Sequence, residues 1–146
     1  MSYTDTSFLT PLFKVEKRSS AVEEFLNRQN PRQLTMSHWT RVEFSSLVAK
    51  DVRIGLYPST QAMAMNAAFE VFSKNICTVL DLSRRYFDLA RSYLTDHKTG
   101  LRSGDALHLA IASNNGATGI YSLDRTMIAA GQSLGLPMNI GFPAFT

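Results

Sequence analysis

The stretch Leu101-Arg102-Ser103-Gly104-Asp105-Ala106-Leu107-His108-Leu109-Ala110 is the most informative part of this sequence. Its small and apolar residues predict a helix that begins at Ser103 or Gly104 and ends before Gly116, because glycine commonly follows a helix C-terminus. Asp105 lies in the first turn of this helix. An aspartate there either interacts with the positive end of the helix dipole or serves a functional site. The rest of the chain helps to choose between these explanations.

Strand and helix patterns alternate along the chain on both sides of this helix. Strand patterns occur at residues 3–4, 34–37, 78–82 and 119–122, and we expect a further edge strand at 138–140. Because parallel strands need crossover connections, this alternation predicts an α/β fold with a parallel sheet of four or five strands flanked by helices. The sequence contains no repeat or linker. We therefore expect one domain over residues 1–146.

Four acidic residues fall where the elements of such a fold meet. Asp5 and Asp124 follow predicted strands, while Glu43 and Asp105 are predicted in the first turns of helices, with Thr40 as the N-cap of the Glu43 helix. Ligands of open parallel sheets bind at the carboxyl ends of the strands. Four carboxylates brought together there repel each other unless they are protonated or bind a cation. Carboxylate oxygens suit Mg²⁺, with Mn²⁺ as a close relative, and such ions support phosphodiester hydrolysis.

Each of these acidic residues also has a local structural explanation. Asp5 is explained equally well as a helix N-cap, and Glu43 as the glutamate of a capping box. Asp105 is explained by an interaction with the helix dipole, and Asp124 by a role as a turn residue. What favours a site is the placement of all four at the same edge of the predicted sheet.

The sequence resembles the PIN domains in four motifs that follow one another in the family's order and spacing. The motifs are Tyr3-Thr4-Asp5-Thr6-Ser7, Ser37-His38-Trp39-Thr40-Arg41-Val42-Glu43, Leu101 to Ala110, and Tyr121-Ser122-Leu123-Asp124-Arg125. The resemblance is closest to the VapC-like toxins of type II toxin–antitoxin pairs. It implies a Mg²⁺-dependent endoribonuclease that forms a homodimer and is silenced by a cognate antitoxin protein. Thr4 is a minor departure, because the family often has a larger hydrophobic residue there.

The resemblance assigns catalysis and metal binding to Asp5, Glu43, Asp105 and Asp124. Two further pairs of residues lie next to the motifs and have both functional and structural explanations. Thr6 and Ser122 are candidates for contacts with the site or with metal-bound water, the alternative being local capping. Arg41 and Arg125 are candidates for contacts with RNA phosphates, the alternative being a solvated charge.

His38, Trp39 and the Met63/Met65 pair are interpreted as packing residues. His108 lies one helical turn after Asp105, between two leucines, and is a candidate for donating a hydrogen bond into the site. A histidine in that setting is more often a buried core residue than a functional one.

Charge and composition narrow the classes of protein without choosing one. The formal net charge is +3, from 15 basic and 12 acidic residues, which by itself does not indicate a nucleic-acid binder. The single cysteine, Cys77, excludes an intrachain disulfide. No segment approaches the ~20 apolar residues of a membrane span, and the N-terminus lacks a signal-peptide pattern. We therefore expect a cytoplasmic protein without a membrane partner.

Two other functions remain as alternatives. The first is a phosphohydrolase that forms an aspartyl phosphate, but Asp5-Thr6-Ser7 lacks the second aspartate that such an enzyme would use as its acid/base. The second is a catalytically degenerate PIN-like module that binds RNA or protein. The presence of all four carboxylates argues against this loss.

Overall fold

The computed structural model describes residues 1–139, in which four parallel strands form one sheet. The strands are β1 (Ser2–Thr4), β2 (Leu34–Ser37), β3 (Thr78–Leu80) and β4 (Gly119–Tyr121), and their order across the sheet is β3-β2-β1-β4. The predicted α/β fold with a parallel sheet is thus confirmed. At the expected fifth strand, Met138 forms a single parallel bridge with Ile120, and residue 140 lies outside the described residues.

Helices cover both faces of the sheet. They are α1 (Thr6–Leu9), α2 (Ser19–Asn27), α3 (His38–Arg53), α4 (Ser59–Asn75), α5 (Arg84–Leu94), α6 (Ser103–Asn114) and α7 (Arg125–Ser133). One core contains apolar residues of α1 to α4, and the other contains those of α5, α6 and α7. The sheet therefore lies between two helical layers, as the crossover connections of a parallel sheet require. Within residues 1–139, no helix is long and apolar enough to span a bilayer.

The start of α3 differs from the prediction that Thr40 is its N-cap. Ser37 is the N-cap, and its Oγ accepts a hydrogen bond from the Thr40 N–H at 3.4 Å, while Thr40 Oγ1 accepts one from the Ser37 N–H at 3.3 Å. The backbone is extended up to Ser37, so the helix begins at His38, directly after β2. Glu43 consequently lies in the second turn of α3 and has no role in the cap.

The rotation of α4 about its axis separates the two methionines that were interpreted as packing residues. Ala62, Met65 and Phe69 point into the core, whereas Met63 is 72% exposed and Val71 is 60% exposed. Met65 is thus a packing residue as predicted, and Met63 is not. The large Phe69 ring stacks on Phe44 of α3, which fixes the orientation of α4.

Candidate active site

The end of β1 lies at the point where the order of the strands reverses. The chain places β2 on one side of β1 and returns later to place β4 on the other side. Such reversals leave a crevice at the carboxyl ends of the strands. A cavity of about 210 Å³ lies at this crevice, and its lining includes Asp5, Glu43, Asp105 and Asp124. The structure therefore brings the four predicted acidic residues together.

Asp5 is the most deeply buried of the four carboxylates, at 3% exposure. It is the N-cap of α1 and accepts hydrogen bonds from the Phe8 N–H at 2.9 Å, from Ser7 Oγ at 2.9 Å and from Ser122 Oγ at 2.7 Å. Burial raises the pKa of Asp5, although His108 and these hydrogen bonds act against it. Ser122 also accepts the Asp124 N–H at 3.0 Å, so it links two of the carboxylate positions.

Glu43 is held from two sides by groups that favour its ionised form. Thr6 Oγ1 donates a hydrogen bond to Glu43 Oε2, and His108 Nε2 lies 2.5 Å from the same oxygen. Burial alone would raise the pKa of Glu43, but the contacts with His108 and Thr6 outweigh it and lower the pKa. Thr6 and Ser122 thus both contact predicted site carboxylates, in addition to their local structural roles.

His108 is buried, as predicted, and it also joins the site to the core. Its side chain is 1% exposed, with Nδ1 2.8 Å from the hydroxyl of Tyr3 and Nε2 against Glu43. Burial raises the pKa of Tyr3, so its hydroxyl stays protonated. His108 thus combines the two roles that the sequence left open, since it is buried in the core and contacts a site carboxylate from the same side of α6 as Asp105.

Arg102 is a site residue that the sequence patterns did not reveal, although it lies one residue before α6. Its Nε is 3.2 Å from Asp105 Oδ2, and its Nη2 is 2.9 Å from Asp124 Oδ2. Burial and the charge of Asp124 raise the pKa of Asp105, and Arg102 acts in the opposite direction. The Arg102 side chain is 73% exposed, so it lies at the mouth of the cavity.

The two arginines predicted to contact RNA occupy different places. Arg41 binds Glu70 on α4, with Nε 3.0 Å from Oε1, and its Nη1 lies 2.7 Å from His38 Nδ1. The structure therefore does not bring Arg41 to the cavity, because two residues before Glu43 is a different face of the helix. Arg125 is exposed at the first residue of α7, next to Asp124.

The sequence profile of the PIN domain family matches residues 2–132. The chain belongs to the PIN domain family. No curated protein sequence matches the chain.

Solved structures with the same PIN fold include several bacterial proteins. VapC20 of Mycobacterium tuberculosis, described as a sarcin-ricin loop cleaving toxin, has a TM-score of 0.72 and 22% identity, covering 90% of this chain and 95% of that chain. FitAcB of Neisseria gonorrhoeae has a TM-score of 0.68 and 17% identity, with 94% and 96% coverage. VapBC-1 of nontypeable Haemophilus influenzae has a TM-score of 0.67 and 19% identity, with 95% and 97% coverage. At these identities the likeness establishes the fold.

The PIN-domain cavity fits a hard divalent cation by its donor chemistry. Its polar lining is dominated by carboxylates, and the pKa values of Asp5 and Asp105 are raised by burial, which a bound cation would offset. Within residues 1–139, no three Asp, Glu, His or Cys side chains form a ready-made metal site. Arg102 bridges two of the carboxylates and His108 contacts a third. Cation binding in this PIN domain would therefore require the carboxylates to rearrange.

Proposed function

We propose that this PIN domain is a metal-dependent endoribonuclease that cleaves phosphodiester bonds of single-stranded RNA with Mg²⁺, for which Mn²⁺ can substitute. The observation that carries the proposal is the convergence of four carboxylates, from four separate parts of the chain, on one cavity at the carboxyl edge of the sheet. Membership of the PIN family supports it, since these domains are generally nucleases. VapC20, which has the same fold, is described as a sarcin-ricin loop cleaving toxin.

Asp5, Glu43, Asp105 and Asp124 are the residues that would hold the cation. When bound, a divalent cation supplies the Lewis acidity that activates water and neutralises charge on the phosphate. The chain's own residues prepare two of these carboxylates for cation binding. Ser7 and Ser122 orient Asp5, while Thr6 and His108 keep Glu43 ionised.

No side chain needs to act as a nucleophile in this proposal. Cys77 lies before β3, and burial raises the pKa of its thiol to about 12. Such a thiol carries almost no thiolate near neutral pH and is a poor nucleophile. Arg102 lines the cavity, so its cationic side chain would meet an incoming phosphate. Arg125 is exposed and follows Asp124 directly in the sequence, which makes it a second candidate for a phosphate contact.

The proposed activity is tested by replacing single carboxylates with their neutral amides. Asp5→Asn, Asp105→Asn and Asp124→Asn should each reduce Mg²⁺-dependent RNA cleavage by more than about 100-fold, beyond the ~10–100-fold typical of losing a supporting contact. Circular dichroism should show that each variant stays folded. Asp88→Asn, an exposed site on α5 paired with Arg84, is the control and should keep full activity. Full activity in two of the three site variants would refute the assignment, and RNA binding without cleavage by the wild type would favour a degenerate binding module.

We further propose that the protein acts in the cytoplasm as the toxin of a toxin–antitoxin pair, forms a homodimer and is silenced by a cognate antitoxin. The simplest inhibitor is an arginine of the partner inserted among the carboxylates, since a planar guanidinium can pair two of them. Arg102 supports this idea, because its guanidinium already bridges Asp105 and Asp124. Solved VapBC complexes with the same fold are consistent with a partner protein.

A further inference from the structure

We propose that the surface of α3 leading away from the carboxylates is the track for the RNA backbone, with Lys50 and Arg53 binding its phosphates. This inference rests on the proposed function and adds where the substrate lies. A second cavity, of about 540 Å³, shares Glu43 and Leu47 with the carboxylate cavity. The two cavities therefore form one continuous depression that is acidic at one end.

The spacing of residues along α3 gives this depression a direction. Glu43, Leu47 and Lys50 are separated by four and then three residues, so they lie on one side of the helix. At about 1.5 Å per residue, Lys50 is about 10 Å and Arg53 about 15 Å from Glu43 along the axis. Both side chains line the second cavity. A chain with its reacting phosphate at the carboxylates would pass these two cations within a few nucleotides.

The charges in the second cavity leave these two cations available. Asp51 also lines the cavity, but it is buried and paired with Lys14 at 2.8 Å, so its charge is already neutralised. Lys50 and Arg53 are exposed, and neither forms an ion pair within residues 1–139. Arg41, by contrast, is held by Glu70. Unpaired lysine and arginine side chains along a groove are the usual partners of phosphates.

Apolar side chains on the same surface suit a single strand with unpaired bases. Val42 is exposed and Trp39 is half-buried, and both line the second cavity next to Glu43. Proteins that bind single strands combine a basic groove with apolar and aromatic surfaces for the bases. The combination therefore favours RNA over a protein ligand.

Binding of RNA without cleavage separates this inference from catalysis. The probe is a fluorescein-labelled single-stranded RNA of about 12 nucleotides, with anisotropy measured in EDTA over a range of salt concentrations. The double variant Lys50→Gln/Arg53→Gln should bind about tenfold more weakly at low salt. For the double variant, the slope of log affinity against log salt concentration should be shallower by about 1.4. Each phosphate contact of a single strand contributes about 0.7 to this slope, and two contacts are removed. Arg91→Gln, an exposed arginine of α5 in the opposite helical layer, is the control for loss of positive charge and should resemble the wild type.

The outcomes distinguish the track from the nuclease activity. If the wild type cleaves RNA with Mg²⁺ but the double variant binds like Arg91→Gln, the track is wrong and the nuclease proposal stands. If the wild type binds through Lys50 and Arg53 yet never cleaves, the track stands and the nuclease proposal fails. Where cleavage occurs, the double variant should have a raised KM and little change in kcat. Trimming the RNA on the side of the cleaved bond that crosses Lys50 and Arg53 should abolish this difference in KM between the double variant and the wild type. If the difference in KM survives trimming on either side, the proposed track is wrong.

Discussion

At Gly104 the backbone of α6 passes close to the Glu43 side chain. A Cβ atom at this position would lie 2.8 Å from Glu43 Oε1 and 3.6 Å from the Trp39 ring, so a side chain would push the carboxylate aside. We expect Gly104→Ala to lower RNA cleavage by about 10- to 100-fold, the cost of misplacing a reacting group by about 1 Å. Its thermal stability should not fall, because alanine favours a helix over glycine. Ser103→Ala, one residue earlier, is the control; equal activities of the two variants would show that the carboxylate tolerates the displacement.

Asp105 gives the metal-free protein a dependence of stability on pH. Burial and Asp124 raise its pKa, so its contribution to stability is complete below the ordinary pKa of about 4 and is lost as pH rises through the raised pKa. Asp105→Asn removes this loss of stability at higher pH. In EDTA, we therefore expect the melting temperature of the variant minus that of the wild type to increase between pH 4 and pH 7.

Adding Mg²⁺ at pH 7 should reverse this difference in melting temperature between Asp105→Asn and the wild type. The wild type should gain stability by binding the ion, and Asp105→Asn should gain less. Asp88→Asn, at an exposed position of α5, is the control for removing a carboxylate. If the difference in melting temperature between Asp105→Asn and wild type in EDTA is constant from pH 4 to pH 7, the assigned direction of the Asp105 pKa shift is wrong.

At the scale of the elements, the sequence predicted the strands better than the helix caps. The alternation of apolar and hydroxyl side chains located β2 at its observed bounds, because successive side chains of a strand point to opposite faces of the sheet. The cap of α3 was misplaced because Ser37 and Thr40 are both residues that favour caps, and their spacing from later residues fits either choice. Only the end of β2, fixed by its neighbours in the sheet, decides between them. The same shift moved Glu43 from the first turn to the second, yet it still faces the cavity.

The contacts of His108 join three elements, since Tyr3 belongs to β1 and Glu43 to α3. His108→Ala should reduce RNA cleavage by about 10–100-fold and destabilise the protein by about 1–3 kcal/mol, because buried partners lose their hydrogen bonds. The pKa of Glu43 should rise when this donor is lost, so activity should disappear at a higher pH as the solution is acidified. The measurement is a pH profile of kcat/KM.

Two further variants separate the positioning of Glu43 from the general stability of the core. His108→Gln keeps an N–H donor and should restore part of the activity and of the acidic limb of the profile. Tyr3→Phe removes the hydrogen bonds of the hydroxyl with His108 and with Ser37 but leaves the contact between His108 and Glu43 in place. It should therefore cost about 1–3 kcal/mol of stability while leaving the pH profile near that of wild type. An unchanged profile in both histidine variants would mean that His108 only packs.

At the scale of the whole molecule, the sequence indicated which acidic residues meet at the site but not which carboxylates pair with the nearby arginines. Asp5 and Asp124 were placed together because both follow parallel strands, whatever the order of those strands. Arg102 and Arg41 were not distinguishable in this way, since each lies within three residues of an acidic motif residue. Their partners, Asp124 and Glu70, are 22 and 29 residues away along the chain. Long-range pairs of this kind depend on how the helical layers pack, which a local pattern does not contain.

The apolar helix surfaces from Phe8 to Phe13 and from Met63 to Phe72 are the sequence's two candidates for the interface of the proposed homodimer, and side-chain exposure favours the second. The segment from Phe8 to Phe13 is largely used in the core, where Phe8 is 1% exposed, so it is not available. On α4, Met63 and Val71 are exposed and lie eight residues apart on one side, with the small Ala67 between them. A two-fold axis would pack this stripe against its own copy, and the alanine would let the helices approach closely. A stable dimer buries about 1,200–2,000 Å², so neighbouring residues must also take part.

The two large side chains at the centre of this surface should contribute most of its binding energy, because burying apolar area stabilises an interface by about 25 cal/mol per Å². Met63→Glu/Val71→Glu would instead bring like charges together across the axis. We expect sedimentation velocity to show a dimer for the wild type and a monomer for this double variant, with both melting at similar temperatures because the sites are exposed. Val15→Glu, at a position that is 97% exposed before α2, is the control for adding a charge and should remain dimeric. A wild type that stays monomeric at every concentration would refute the homodimer, whereas a double variant that still dimerises would move the interface away from α4.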